Sequence, residues 1–161
     1  MLTLVAGFGN VLRGDDGFGV EVIRRCGEMG LAGDEVELMD VGTGGLRLAQ
    51  ELLTGYDRLI VVDAMTRGGA PGSLYVLEVE SVAAITEIDM HLAVPSRALS
   101  VAKALGALPR QVFMVGCEPA EVDELIFELS EPVRGAVAAA VRQIHHLLGA
   151  PAACGATPGQ T

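Results

Sequence analysis

A chain of 161 residues, half of them hydrophobic, is long enough to bury the core of one domain and too apolar to remain disordered. Its formal net charge of −10, with the basic residues scattered, argues against a nucleic-acid or anionic-membrane surface. No apolar run approaches the roughly 20 residues of a membrane helix, and three cysteines without a C-x-x-C spacing read as reduced thiols of a cytoplasmic protein.

The first dozen residues are apolar but carry neither a basic start nor a small-residue cleavage site, so no targeting segment is expected. Leu2-Thr3-Leu4-Val5-Ala6 instead reads as a strand running into the turn Gly7-Phe8-Gly9-Asn10, with Asp15-Asp16-Gly17 behind it. An apolar stripe of Phe18, Val22, Ile23 and Cys26 then predicts a helix. Residues 35–40 read as a second strand, and Gly42-Thr43-Gly44-Gly45 turns into a helix over 46–53. Leu59-Ile60-Val61-Val62 is the continuous apolar run of a strand covered on both faces, ending at Asp63. After the turn cluster at 68–72, residues 74–79 alternate like an edge or hairpin strand. Residues 95–105 are predicted helical, with Pro95 in the tolerated first turn. Val112-Phe113-Met114-Val115 is the last strand, expected to stop at Gly116 and Pro119. Ser130 is expected to cap a final helix whose Val133, Val137, Val141, Ile144 and Leu148 share one face. The segment 150–161 has no periodicity and reads as a disordered tail, leaving one domain over 1–149.

Strands alternating with helices predict an α/β fold: a single three-layer domain, with a twisted, mostly parallel sheet of about five strands and helices on both faces. Ligands of such sheets bind at the carboxyl ends of the strands. Asp16, Asp40, Asp63 and Glu118 all follow strands and should share that edge.

Two carboxylates, Asp15 and Asp16, stand where a helix N-terminus would otherwise attract a phosphate, and they point to a cation instead. One Asp suffices as a cap, so the second lacks a structural reason. Asp63 follows four apolar residues and, if buried, needs a partner, of which a metal is one option. His91 lies in a connection before a helix, where a lone histidine is more often simply exposed. His145 and His146 lie about 100° apart on a helix and read as surface residues. Cys117 reads as a small packed side chain and Glu118 as a residue ordering its own turn. Asp40 stands where a dinucleotide-binding fold reads a ribose.

Taken together, these residues resemble the nickel–iron hydrogenase maturation proteases over roughly residues 1–148. The run Gly7-Phe8-Gly9-Asn10-Val11-Leu12-Arg13-Gly14-Asp15-Asp16-Gly17-Phe18-Gly19 is similar to that family's opening motif, G-x-G-N-x-L-x-x-D-[DE]-x-x-G. Asp40-Val41-Gly42-Thr43-Gly44-Gly45 is similar to its D-x-G-T-x-G segment, Val62-Asp63-Ala64 to its second carboxylate, and Gly116-Cys117-Glu118-Pro119 to its G-x-[EQ]-P turn. The histidine segment fits less closely: Asp89 stands two places before His91, where many members carry a small or hydroxyl residue.

The resemblance implies an aspartic-type endopeptidase that trims the C-terminus of a hydrogenase large-subunit precursor. It places a metal-binding, catalytic trio on Asp16, Asp63 and His91. It further implies no intrinsic cofactor: the trio recognises nickel carried by the substrate, and cadmium or zinc could occupy the same ligands in vitro. The precursor is then the partner, and a cytoplasmic monomer the expected state. Two rivals remain open at this point. A nickel-binding maturation chaperone that does not cut would use the same ligands. A Rossmann-like nucleotide-binding module would use Gly7 and Gly9, although Leu12 stands where its fingerprint wants a third glycine.

Overall fold

A computed structural model describes residues 1–83, 93–120, 122 and 125–149. Its elements in chain order are β1 (Thr3–Phe8), a 3-10 turn (Gly14–Gly17), α1 (Phe18–Glu28), β2 (Val36–Gly42), α2 (Leu46–Leu52), β3 (Arg58–Ala64) and β4 (Leu74–Glu78). They are followed by α3 (Ala93–Ala104), β5 (Gln111–Cys117) and α4 (Glu131–Leu148). The five strands form one sheet in the order β2-β1-β3-β5-β4. All neighbours run parallel except β4, which lies antiparallel on β5 at the edge. The expected α/β fold, with its antiparallel member near 74–79, is therefore the one observed.

The two apolar runs read from the sequence become the central strands. Every residue of β1 and β3 is buried, because the sheet is covered on both sides. Alternation along each strand then divides the core into two layers. Leu4, Ala6 and Phe8 of β1 pack with Leu59 and Val61 of β3 under α2 and α3. Val5, Ile60 and Val62 pack on the opposite face, under α1 and α4. The face predicted for α4 is present and is completed by small side chains: Ala136 and Ala140 are buried between Val133, Val137, Val141 and Ile144. At the amino edge of the sheet, buried Arg58 donates from Nη1 to the Leu147 carbonyl at 2.6 Å and from Nε to Gln111 Oε1 at 2.7 Å. That guanidinium holds the carboxyl end of α4, the negative end of its dipole.

Two local expectations give way to long-range contacts. β5 does not stop at Gly116 but runs on to Cys117. The glycine is there because Met65 lies over it, with Met65 Cβ 2.7 Å from where a Gly116 Cβ would stand. Ser130 does occupy the cap position of α4 with extended dihedrals, yet its side chain makes no cap hydrogen bond. Its hydroxyl donates to Asp15 instead. The expected tail at 150–161 lies outside the described residues.

β1 connects to β2 on one side of itself, and the chain then returns to place β3 on the other side. The carboxyl ends of β1 and β3 therefore flank the switch point of the sheet, where folds of this kind open a crevice.

Candidate functional site

The crevice is built from the turn after β1. Gly9 has φ +129°, a conformation L side chains rarely adopt, and its N–H donates to the Gly42 carbonyl at 2.9 Å. A Cβ at this position would collide with the Asp16 carbonyl and stand 3.7 Å from Asp63 Oδ1. Gly9 is therefore where the backbone of Asp16 and the carboxylate of Asp63 meet, within a few ångströms of one point. The two aspartates come from segments 47 residues apart, joined by the parallel pairing of β1 with β3.

Asp16 is half-buried, and its Oδ2 accepts the Asn10 N–H at 3.0 Å. Asp63 is buried, and its Oδ1 accepts the Ala64 N–H at 2.8 Å. Asn10 Oδ1 in turn accepts the Leu12 N–H at 2.9 Å, which closes the turn. This arrangement argues against the nucleotide reading. A phosphate bound here would need the free N–H groups of the turn, and the Asn10 N–H is already held by a carboxylate of the chain itself.

Asp15, left open between ligand and cap, is neither at the crevice nor capping a helix. It is fully buried, and its carboxylate accepts the Ala120 N–H at 2.7 Å, the Ser130 N–H at 2.7 Å and the Ser130 hydroxyl at 2.8 Å. The Gly14 N–H adds a bond to the Ile126 carbonyl at 2.7 Å. Asp15 thus ties the turn that carries Asp16 to the connection between β5 and α4.

Glu118 orders more than its own turn. Buried at the end of β5, it accepts the Arg67 N–H and the Tyr75 hydroxyl, each at 2.7 Å, and the Gly68 N–H at 3.2 Å. Burial alone would raise this carboxyl, but the amide of Arg67, the Tyr75 hydroxyl and the Gly68 and Gly69 amides together hold it below its ordinary value. Nothing in the local sequence signals this role, because the partners lie 43–51 residues away.

Cys117 is fully buried, and its thiol is pushed up to about 12, first by burial and then by the charges of Asp15 and Glu118. A thiol held protonated at neutral pH is a packing group and not a nucleophile. Asp40 lies on the same edge but is exposed. His145 and His146 are exposed on α4, as expected.

His91 lies outside the described residues. Among the described residues, no group of three His, Cys, Asp or Glu side chains could hold a metal ion. What they do supply is a pair of oxygen-bearing side chains at the head of the crevice. Such a pair can approach a cation brought by another molecule or take a proton from water.

Comparison with known proteins gives a consistent picture. A family model described as hydrogenase maturation protease matches residues 20–147. The hydrogenase expression/formation protein HupD of Rhizobium leguminosarum bv. viciae is 36% identical over 141 residues, covering 86% of this chain and 69% of that protein. The hydrogenase 2 maturation protease of Escherichia coli is 30% identical over 147 residues, covering 89% and 88%. Among solved structures, the hydrogenase maturating endopeptidase HybD from E. coli superposes with a TM-score of 0.82 at 30% identity, over 92% of each chain. The [NiFe] hydrogenase maturation protease HybD from Thermococcus kodakarensis gives 0.78 at 28%, over 91% of this chain and 99% of that one.

Proposed function

The chain belongs to the hydrogenase maturation protease family, and from that premise we propose that it removes a C-terminal peptide from the nickel-loaded large-subunit precursor of a nickel–iron hydrogenase. The observation that carries this reading is the meeting of Asp16 and Asp63 at Gly9, on the edge of the sheet where such folds bind ligands. In this reading His91 is the third member of the site. Its support is the position of α3: Val94, in the helix's first turn, packs beside Gly45, just beyond the carboxyl end of β2.

Two carboxylates and an imidazole make an incomplete coordination set that nickel accepts, leaving positions for ligands of the precursor itself. The nickel is part of the substrate, and the protease needs no cofactor of its own; cadmium or zinc from solution would take the same ligands. A carboxylate beside the scissile bond serves as general base for an attacking water, and the substrate's nickel polarises the carbonyl. Among the described residues no helix is long and apolar enough to cross a membrane. A cytoplasmic monomer completes the proposal.

Mass measurement of a purified precursor before and after incubation tests it. Nickel-loaded precursor should lose a C-terminal peptide, and nickel-free precursor should stay intact. An unchanged mass with bound precursor would leave the chaperone reading in its place. Equal cutting of both forms would remove nickel recognition from the role of the trio.

A further inference from the structure

The register of the sheet sets three residues of neighbouring strands in one row. Asp63 of β3 pairs with Gly116 of β5, and Gly116 pairs with Tyr75 of β4. Residues in one row share a face, here the face that carries Val61, Met114 and Leu77 under α2 and α3. Two strand spacings, about 10 Å, separate the Asp63 backbone from that of Tyr75, roughly the span of three residues of extended peptide. The loop that leaves β3 is fixed against this row at several points. The Met65 N–H donates to the Cys117 carbonyl at 2.9 Å, the Gly72 N–H to the Glu118 carbonyl at 2.8 Å, and the Glu118 N–H to the Ser73 carbonyl at 2.8 Å. The Glu118 carboxylate takes the Arg67 and Gly68 amides and the Tyr75 hydroxyl. Gly69 closes against the same hydroxyl, which a Cβ there would strike.

What this scaffold presents is the guanidinium of Arg67. It lies over the Tyr75 ring, 5.5 Å from the centroid, while the residue itself is exposed. Stacking uses the flat face of a guanidinium and leaves the N–H donors of its edge. Among the described residues no carboxylate pairs with Arg67 and no acceptor takes those donors, whereas Arg24, Arg25 and Arg134 are each paired with a glutamate. Glu118 does not compete, because it is buried and its oxygens already accept from the loop amides and Tyr75. A long side chain held in place with its donors unfilled is preorganised for a bidentate contact to an incoming oxyanion. The oxyanion of an unmodified polypeptide is a carboxylate. Asp16 and Asp63 repel such a group from the crevice, so its attraction to Arg67 orients the segment that carries it as well as binding it.

We propose that Arg67, stacked on Tyr75, is a specificity-determining residue that receives a carboxylate of the precursor close to the scissile bond. The proposal rests on the reading that Asp63 faces that bond. Steady-state cleavage of nickel-loaded precursor by Arg67→Gln and Arg67→Lys provides the test. The residue is exposed, so both variants should melt with the wild type. KM should rise about tenfold for Arg67→Gln, the scale of losing one charge-assisted pair, with kcat held, because only uniform binding has been removed. Arg67→Lys should recover part of the loss, keeping the charge without the fork. The ratio of variant to wild-type KM should shrink in high salt, which screens an exposed pair. Two altered precursors identify the carboxylate. One has the acidic residues of the removed peptide replaced by their amides, and the other is extended beyond its C-terminus so that the terminal carboxylate is displaced. The alteration that abolishes the difference between wild type and Arg67→Gln marks the partner, and persistence of the difference with both overturns the proposal. An unchanged KM for Arg67→Gln, or a loss that salt does not diminish, also overturns it. Should the wild type bind the precursor without cutting it, the functional reading alone falls, and the same ratios taken as dissociation constants decide Arg67. A precursor neither cut nor bound overturns both.

Discussion

Asp15 and Ser130, 115 residues apart in the chain, are joined by two hydrogen bonds, from the Ser130 N–H to Oδ1 and from the Ser130 hydroxyl to Oδ2. With the Ala120 N–H also on Oδ2, one buried carboxylate serves three donors from the connection after β5. Asp15→Ala would leave the Ala120 and Ser130 amides without their acceptor, at a cost of roughly 2–4 kcal/mol. Urea unfolding measures it. Asp15→Asn should lose less, because one oxygen still accepts. A change for Asp15→Ala inside the ordinary surface range of about 0.5 kcal/mol would show that the connection does not depend on this residue.

Gly9→Ala tests the geometry of the crevice. The added methyl meets the Asp16 carbonyl in a backbone conformation that already disfavours a side chain. Strain and overpacking together should cost roughly 2–4 kcal/mol. Relief requires the Asp16 backbone to move away from Gly9 and so displaces the Asp16 carboxylate, and cleavage should fall even at temperatures where the variant remains folded. A stable variant with full activity would mean that Asp16 and Asp63 do not depend on this contact.

The thiol of Cys117 should be silent. With its pKa pushed up to about 12 and its side chain fully buried, it should resist iodoacetamide in the native protein at mildly alkaline pH. Cys117→Ser should keep most of the cleavage rate. Loss of cleavage in a folded Cys117→Ser protein would reopen a thiol mechanism.

The parts of this molecule readable from sequence are those whose cause is local. The buried runs of β1 and β3, the alternation of β4 and the stripe of α4 follow from periodicity, and the order of elements then puts Asp16, Asp40, Asp63 and Glu118 on one edge. Where a residue answers to something distant, local reading failed. Gly116 looked like a strand terminator, yet it is a gap for Met65, which arrives from the end of β3. Ser130 had the sequence context of a helix cap, but its hydroxyl serves Asp15. Glu118 looked like the keeper of its own turn and instead holds the 67–68 amides and Tyr75. His91 lies outside the described residues, and its place in the site rests on the proposal.

Glu118 also predicts a pH dependence. Its folded pKa lies below the ordinary 4.5, so its contribution to stability is fully present above that value. That contribution disappears as pH falls through the lowered folded value. Glu118→Gln places an amide NH₂ opposite either the Gly68 N–H or the Arg67 N–H, which donate to different oxygens, and should be less stable at neutral pH by roughly 1–3 kcal/mol. The gap between wild type and variant should then narrow as the solution is acidified below 4.5. Denaturant midpoints measured across that range check it; a gap independent of pH would mean the carboxylate charge contributes nothing.

The last prediction separates the work of Asp16 and Asp63 from their structural duties. Asp16 accepts the Asn10 N–H and Asp63 the Ala64 N–H, and an asparagine carbonyl can accept the same bonds. Asp16→Asn and Asp63→Asn should therefore fold, with stability within about 1 kcal/mol of wild type, because each keeps the side chain's size and an accepting oxygen. Cleavage of nickel-loaded precursor should nevertheless fall at least about 10²-fold, the scale of losing a proton acceptor or ligand at the reacting centre. His91→Ala should match them in activity if it completes the trio. Lower stability with normal cleavage in both Asn variants would show the pair to be braces of the turn, and the crevice would then have no chemistry of its own.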